Sequence, residues 1–249
     1  MILIFCAFGA ELGPLRALLS DAKPLAGNEL RGFQGRAGGA AVTLIASGVG
    51  VRHAQRAATL ALDRLDEVEG IITTGVAGAL HADLPIGRVV LADRLMVRRG
   101  EEFAAEAVVE APIGHRETFA AALSAARITF ATGAILTSRR VIAKVDDKRR
   151  AHEALGAIAV DMESALIALE AARRGIPFVC LRTIMDTATE GIDGARLADE
   201  NGRVRPLAAA AALIAQPRLV LSSIKLMQNL RAATRSMAAA ISVVLDANA

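Results

Sequence analysis

VDMESALIALEAARRGIPFVCLRTIMDTATE, residues 160–190, decides how the rest of the chain is read. Asp161, Met162 and Glu163 open a helix, along which Ala165, Leu166, Leu169 and Ala172 recur at helical spacing. Gly175 and Pro177 close it, in the order expected past a helix end. Phe178-Val-Cys-Leu is then a continuous apolar run of strand length, as a buried parallel strand requires. Acidic residues flank the unit: Asp161 and Glu163 at the helix start, Asp186 just past the strand, with Arg182 shortly before it. In open α/β sheets, ligands gather at the carboxyl ends of strands, which is where Asp186 falls.

Working outward, the strand–helix alternation continues. Residues 2–8 read as a first strand, followed by Gly9-Ala10-Glu11-Leu12 and a helix to Leu19, then a Pro/Gly loop over 21–28. Residues 40–46 form a β-branched run that turns through Ser47-Gly48-Val49-Gly50 into a helix over 51–65. A strand at 70–73 delivers a second glycine loop, Thr74-Gly75-Val76-Ala77-Gly78-Ala79-Leu80. Strands are also expected at 85–91, 95–97, 131–136 and 157–160, a helix at 146–155, and an exposed insertion plus a helix within 100–127. The pattern predicts an α/β fold, a three-layer α/β/α sandwich around a central, largely parallel (mixed) sheet, in one domain spanning 1–249.

Composition bounds the rest. The 249 residues are 53% hydrophobic, which excludes general disorder. Cys6 and Cys180 lie in apolar strand-like runs and read as reduced core thiols, which points to the cytoplasm. The apolar runs at 1–8 and 207–215 are too short to span a bilayer. The net charge of +3 hides an asymmetry. Residues 203–249 hold Arg203, Arg205, Arg218, Lys225, Arg231 and Arg235 against Asp246, leaving 23 basic and 25 acidic residues before them. This tail has no aromatic residue to stack bases, so no nucleic-acid partner is expected. Its series Val220, Ile224, Met227, Leu230, Thr234, Met237, Ile241, Val244 steps by three or four, which makes a basic amphipathic helix within about 206–246. Packing on the domain or a second subunit and peripheral contact with an anionic membrane are both open for it. His53, His81, His115 and His152 show no ligand spacing, so no metal is expected, and Ser164 has no Gly-x-Ser-x-Gly elbow.

The two glycine loops, then Val160-Asp161-Met162-Glu163-Ser164-Ala165, then Arg182-Thr-Ile-Met-Asp186-Thr-Ala188, in that order along the chain, resemble the nucleoside phosphorylase and nucleosidase superfamily. Within it, the basic tail is most similar to that of the hopanoid-associated phosphorylases. The resemblance implies an enzyme that cleaves the N-glycosidic bond of an adenine nucleoside in a homo-oligomer, with no cofactor beyond inorganic phosphate as co-substrate. It implies Asp186 as general acid at the leaving base, where the residues alone also allow a strand-end cap. Glu163 becomes a ribose clamp, where helix-dipole complementarity is the plainer reading. Met162 would pack on the sugar. Glu11 stands where hydrolytic relatives hold a water-activating Glu, and an exposed helix-start acid explains it as well. Arg182 holds the nucleophile or a neighbouring carboxylate.

Backbone donors of Ser47-Gly48-Val49-Gly50, with Arg52 or His53, would cradle phosphate or ribose. Gly48, Gly50 and Arg52 are the expected phosphate ligands, and Ser47, Gly48, Val49, Thr74, Gly75, Val76, Val141 and Met185 the further substrate contacts. Three of these depart from the family pattern. Met185 replaces a Ser that orients the base, Val76 replaces a Ser that some hydrolases use, and Val141 stands near the place of a base-stacking Phe. On this balance phosphate is the expected nucleophile, with adenosylhopane the substrate implied by the tail. Hydrolysis of methylthioadenosine or S-adenosylhomocysteine through Glu11 is the alternative, and non-catalytic nucleoside binding the reading from another class.

Overall fold

The computed structural model describes residues 1–27, 29–192 and 217–247. Its strands are β1 (Ile2–Cys6), β2 (Ser20–Pro24), β3 (Arg31–Ala37), β4 (Ala40–Ala46), β5 (Gly70–Ala79), β6 (Val89–Arg98), β7 (Ala105–Glu110), β8 (Phe130–Thr137), β9 (Ala157–Asp161) and β10 (Phe178–Asp186). The helices are α1 (Gly9–Arg16), α2 (Val51–Arg64), α3 (Ile113–Ala125), α4 (Val145–Leu155), α5 (Ser164–Arg173) and α6 (Pro217–Asp246).

All ten strands belong to one mixed sheet. β1 lies parallel between β4 and β5, and β5 pairs in parallel with β10. β10 then meets β6 antiparallel, β6 runs parallel to β8, β8 to β9, and β9 returns antiparallel to β5. The strands β5, β10, β6, β8 and β9 thus close on themselves, while β1, β4, β3 and β2 extend the sheet to one side. The three-layer α/β arrangement expected from the alternation is present; the closure is an addition to it.

The pleat explains the layers. Along β1, Leu3 and Phe5 face one core with the alanine-lined faces of α2 (Ala54, Ala57, Ala58, Ala61) and α5 (Ala165, Ala168, Ala171). Ile4 and Cys6 face the opposite core, built from Leu15 of α1, Phe119 and Leu123 of α3, and Met237, Ile241 and Val244 of α6. Both cysteines are free and buried. The C-terminal half of α6 therefore packs on its own domain, whereas Ile224 and Met227 nearer its start are exposed. Residues 206–216 of the expected tail helix lie outside the described residues. Among the described residues no helix is long and apolar enough to cross a membrane.

Four local expectations need correction. The loop expected at 21–28 begins inside strand β2, and 31–37 adds β3, because antiparallel edge strands need no apolar run. The strands expected at 85–91 and 95–97 are one, β6. The insertion expected with a helix within 100–127 forms strand β7, ahead of the helix α3. The second glycine loop is not a loop, since β5 continues through Ala79. Gly75 permits this: its φ is +139°, and a Cβ there would collide with a guanidinium nitrogen of Arg182 and stand 2.7 Å from Glu11 Oε1.

Candidate active site

The carboxyl ends of β1, β4, β9 and β10 converge beside the second half of β5 and open one cleft. It is lined by Ala7, Phe8, Glu11, Val49, Val76, Ala77, Gly78, Arg140, Val141, Ile142, Val160, Asp161, Met162, Glu163, Met185, Asp186 and Ile192. Three carboxylates expected from the sequence, Glu11, Glu163 and Asp186, thus meet with Met162, Val49, Val76, Val141 and Met185. Among the described residues no group of three or more His, Cys, Asp or Glu side chains could hold a metal ion.

Glu11 is almost wholly buried, at 1% exposure, so it is not an exposed helix-start acid. Its side chain folds back toward the start of α1. Oε2 accepts from the amides of Ala7 (2.6 Å) and Phe8 (3.4 Å), and Oε1 from the amide of Val76 (2.8 Å). Burial raises its proton affinity, while Arg182 and these three amides oppose the rise.

Glu163 is the N-cap residue of α5 rather than part of its first turn. Oε1 accepts the amide of Gly50 at 2.8 Å, and Oε2 lies 3.6 Å from Arg182. Burial pushes its pKa up to about 7, helped by Asp161 and Glu11 and opposed by Arg182 and the Gly50 amide. Asp161, the last residue of β9, accepts from Thr137 Oγ1 at 2.7 Å and from the amides of Glu163 and Ser164, and so satisfies donors at the start of α5.

Arg182 does not line the cleft. It is 1% exposed and lies beneath the carboxylates, with Nε 2.9 Å from Asp161 Oδ2 and donating to Ser164 Oγ, and Nη1 donating to the Thr74 carbonyl. Of its two expected tasks, it performs the pairing with neighbouring carboxylates. The anion cradle is also corrected. The Gly50 amide is taken by Glu163, Ser47 Oγ donates to the carbonyls of Cys6 and Gly48, and Arg52 is exposed on α2 outside the cleft lining. Gly48 and His53 pack on each other, and His53 Nδ1 bonds the Val49 carbonyl. Ser47, Gly48, Thr74 and Gly75 stand behind the lining, not in it.

Asp186 ends β10 instead of following it. The β10–β5 register slips between Ile184 and Asp186, a bulge that re-aims the side chain against Gly78. A Cβ on Gly78 would stand 2.9 Å from Asp186 Oδ2, so the site needs glycine there for room. Burial raises the proton affinity of Asp186, and Lys148 opposes the rise. Lys148 was not anticipated. It is fully buried and donates to Asp186 Oδ2 and to the carbonyls of Thr187 and Glu190. The sequence does carry a signal for it: Lys148 stands three residues before the buried Ala151 and seven before Leu155, on the inward stripe of α4.

The model of the phosphorylase superfamily matches residues 1–216. The chain belongs to that superfamily. Among curated members it is 29% identical over 233 residues to the 5′-methylthioadenosine/S-adenosylhomocysteine nucleosidase of Mycobacterium bovis, covering 79% of this chain and 90% of that one. It is 31% identical over 181 residues to the enzyme of the same name from Listeria monocytogenes, covering 64% and 74%. Among solved superfamily structures, the S-adenosylhomocysteine nucleosidase of Streptococcus pyogenes in complex with 5-methylthiotubericidin superposes with a TM-score of 0.76. It is 25% identical, with 98% and 95% of the two chains covered.

Proposed function

We propose that this protein is a hydrolytic nucleosidase, cleaving the N-glycosidic bond of an adenine nucleoside with water, of the methylthioadenosine or S-adenosylhomocysteine kind for which its relatives are named. The observation that carries the reading is Glu11, a buried carboxylate on the cleft wall with raised proton affinity, beside donors that are already occupied. A phosphorolytic site needs free donors for its anion. Here the Gly50 amide serves Glu163, Arg182 serves Asp161 and Glu163, Arg140 on the cleft wall pairs with Glu101, and Arg52 is outside the cleft. That balance reverses the sequence expectation of phosphate as nucleophile.

In the proposed reaction, Asp186 gives a proton to N7 of the purine as the C1′–N9 bond breaks and its electron pair passes into the base. Glu163 accepts hydrogen bonds from the ribose hydroxyls, and its charge favours the cationic sugar of the transition state. Water attacks C1′ while Glu11 takes its proton, which solvent exchange returns to Asp186 for the next turnover. Met162 packs on the sugar. Phe8 and Val49 offer an apolar wall for the 5′ substituent, which suits a thioether better than a hydroxyl. A long lipid substituent is the extreme of the same preference. Incubating the protein with methylthioadenosine, with and without phosphate, tests the nucleophile. Free methylthioribose at an undiminished rate in phosphate-free buffer is expected, and a phosphorylated sugar formed only with phosphate would reverse the assignment.

Glu163 also carries a pH dependence. The clamp works as a carboxylate, and a pKa of about 7 means the active form gains as pH rises. kcat/KM should therefore climb through about pH 7 along a limb that Glu163→Gln shifts, with kcat lowered about 100-fold. A variant that changes only KM would make Glu163 a ground-state contact.

A further inference from the structure

We propose that Lys148 is the positioning residue of the Asp186 carboxyl, aiming one of its oxygens at the leaving base and setting how readily it yields its proton. The proposal rests on the hydrolytic reading above. Lys148 is fully buried, and its ammonium has three N–H bonds for three acceptors: Asp186 Oδ2, the Thr187 carbonyl at 2.6 Å and the Glu190 carbonyl at 3.1 Å. Two of these acceptors belong to the backbone just past Asp186. One cation therefore holds both the carboxyl and the segment that carries it. With Oδ2 pinned, Oδ1 has no hydrogen-bond partner among the described residues, on a side chain that lines the cleft.

Two of the three acceptors are backbone carbonyls, which a neutral donor could serve; the third, the Asp186 carboxyl, is the one that calls for a charge. The other charged residues in the first turns of α4, Asp146, Asp147, Arg149 and Arg150, pair with one another in the exposed face. An apolar side chain beside Ala151 would dock the helix without desolvating an ammonium. The charge is buried instead at the one carboxyl placed to act as an acid.

Its chemical consequence follows from two opposed effects. Burial favours the protonated carboxyl, and a cation at hydrogen-bond range favours the anion. Lys148 thus makes Asp186 a stronger acid than burial alone would leave it, and keeps it from holding its proton too tightly. The other charges bearing on Asp186 are Glu190, which acts against Lys148, and Lys225 of α6, which pairs with Glu190 at 2.8 Å and shares a hollow with Asp186. β5 presents only Ala77 and Gly78 there.

The test compares Lys148→Met, Lys148→Arg, Asp186→Asn and the double variant Lys148→Met/Asp186→Asn, each checked by thermal melting. Met keeps the length of Lys, and a buried Asp186 deprived of its cation can take up a proton instead. Lys148→Met should lower kcat about 10–100-fold with little change in KM, and move the alkaline limb of the kcat/KM profile up by about one pH unit. Lys148→Arg should return the limb toward its native position. Since Lys148 acts through Asp186, the double variant should be no more than about twofold slower than Asp186→Asn alone. An unmoved limb, or losses that multiply in the double variant, would overturn the proposal. Titrating the Asp186 carboxyl by ¹³C NMR without substrate separates the two levels of inference. An active hydrolase whose Asp186 titrates identically in the native protein and in Lys148→Met refutes the role of Lys148. A native protein that releases no base from any adenine nucleoside refutes the hydrolytic reading and the aiming role that rests on it.

Discussion

Asp186→Asn should lower kcat for adenine release by about 10²–10⁴, the usual contribution of a positioned general acid. Asparagine can still donate a hydrogen bond to the purine but has no proton to give up. The loss should therefore depend on the leaving group. A riboside of 4-nitrophenol, whose anion departs without protonation, should be cleaved by the variant with far less loss than an adenine nucleoside. Equal losses on both substrates would mean that Asp186 supports the site some other way. The structure adds a cost that sequence reading did not foresee. Asn leaves the buried Lys148 ammonium facing a neutral amide, and although the amide oxygen still accepts, about 1–3 kcal/mol of stability should go with the charge. The melting temperature of the variant checks this part independently of activity.

How much of this was legible depended on how each element earns its burial. Strands covered on both faces leave continuous apolar runs, so 178–181, 131–136 and the run at 40–46 were readable, and with them the positions of Asp186 and the first glycine turn. Helices with one alanine-rich face, such as α2 and α5, were readable for the same reason. Edge strands bury little, and SDAKP and RGFQGRA carry no such trace. TTGVAGA reads locally as a glycine turn. Its strand character comes from β10, paired to it across 107 residues at Arg182↔Gly75, and from the side chains of Arg182 and Glu11, which need the space.

The site divides along the same line. Carboxylates beside family motifs could be named, but their partners could not, because pairing is a long-range fact. The Gly50 amide looks like an anion donor until Glu163, 113 residues away, occupies it. Arg182 looks like a ligand for the nucleophile until three acceptors beneath the cleft claim it. Lys148 reads as one more charge in KVDDKRR until α4 is docked. The choice between phosphate and water turned on these pairings, and they were invisible to any reading of motif order.

Glu11→Gln is the substitution that decides the nucleophile, and it should reduce hydrolysis by about 10²–10⁴. Its interpretation needs care that the geometry supplies. Both oxygens of Glu11 accept from backbone amides, Oε2 from Ala7 and Oε1 from Val76. A glutamine must turn its NH₂ toward one of those donors, so it sets donor against donor and costs about 1–3 kcal/mol in a buried position. Lost activity by itself would not distinguish a missing base from a disturbed β1–α1 junction. The decisive pair of measurements is therefore made on Glu11→Ala, which replaces that conflict by unpaired amides of Ala7, Phe8 and Val76 and is read by rescue rather than by loss. If Glu11 only activates water, the variant should still bind adenine and methylthioribose with near-native affinity, while an added small nucleophile that needs no base, such as azide, should restore base release and yield the azido sugar. Folded Glu11→Ala that hydrolyses methylthioadenosine within about tenfold of the native rate would remove Glu11 from the chemistry. Water would then have to be activated elsewhere in the cleft, and of the three remaining carboxylates Asp161 is bound to Arg182 at 2.9 Å and Asp186 to Lys148, which leaves Glu163.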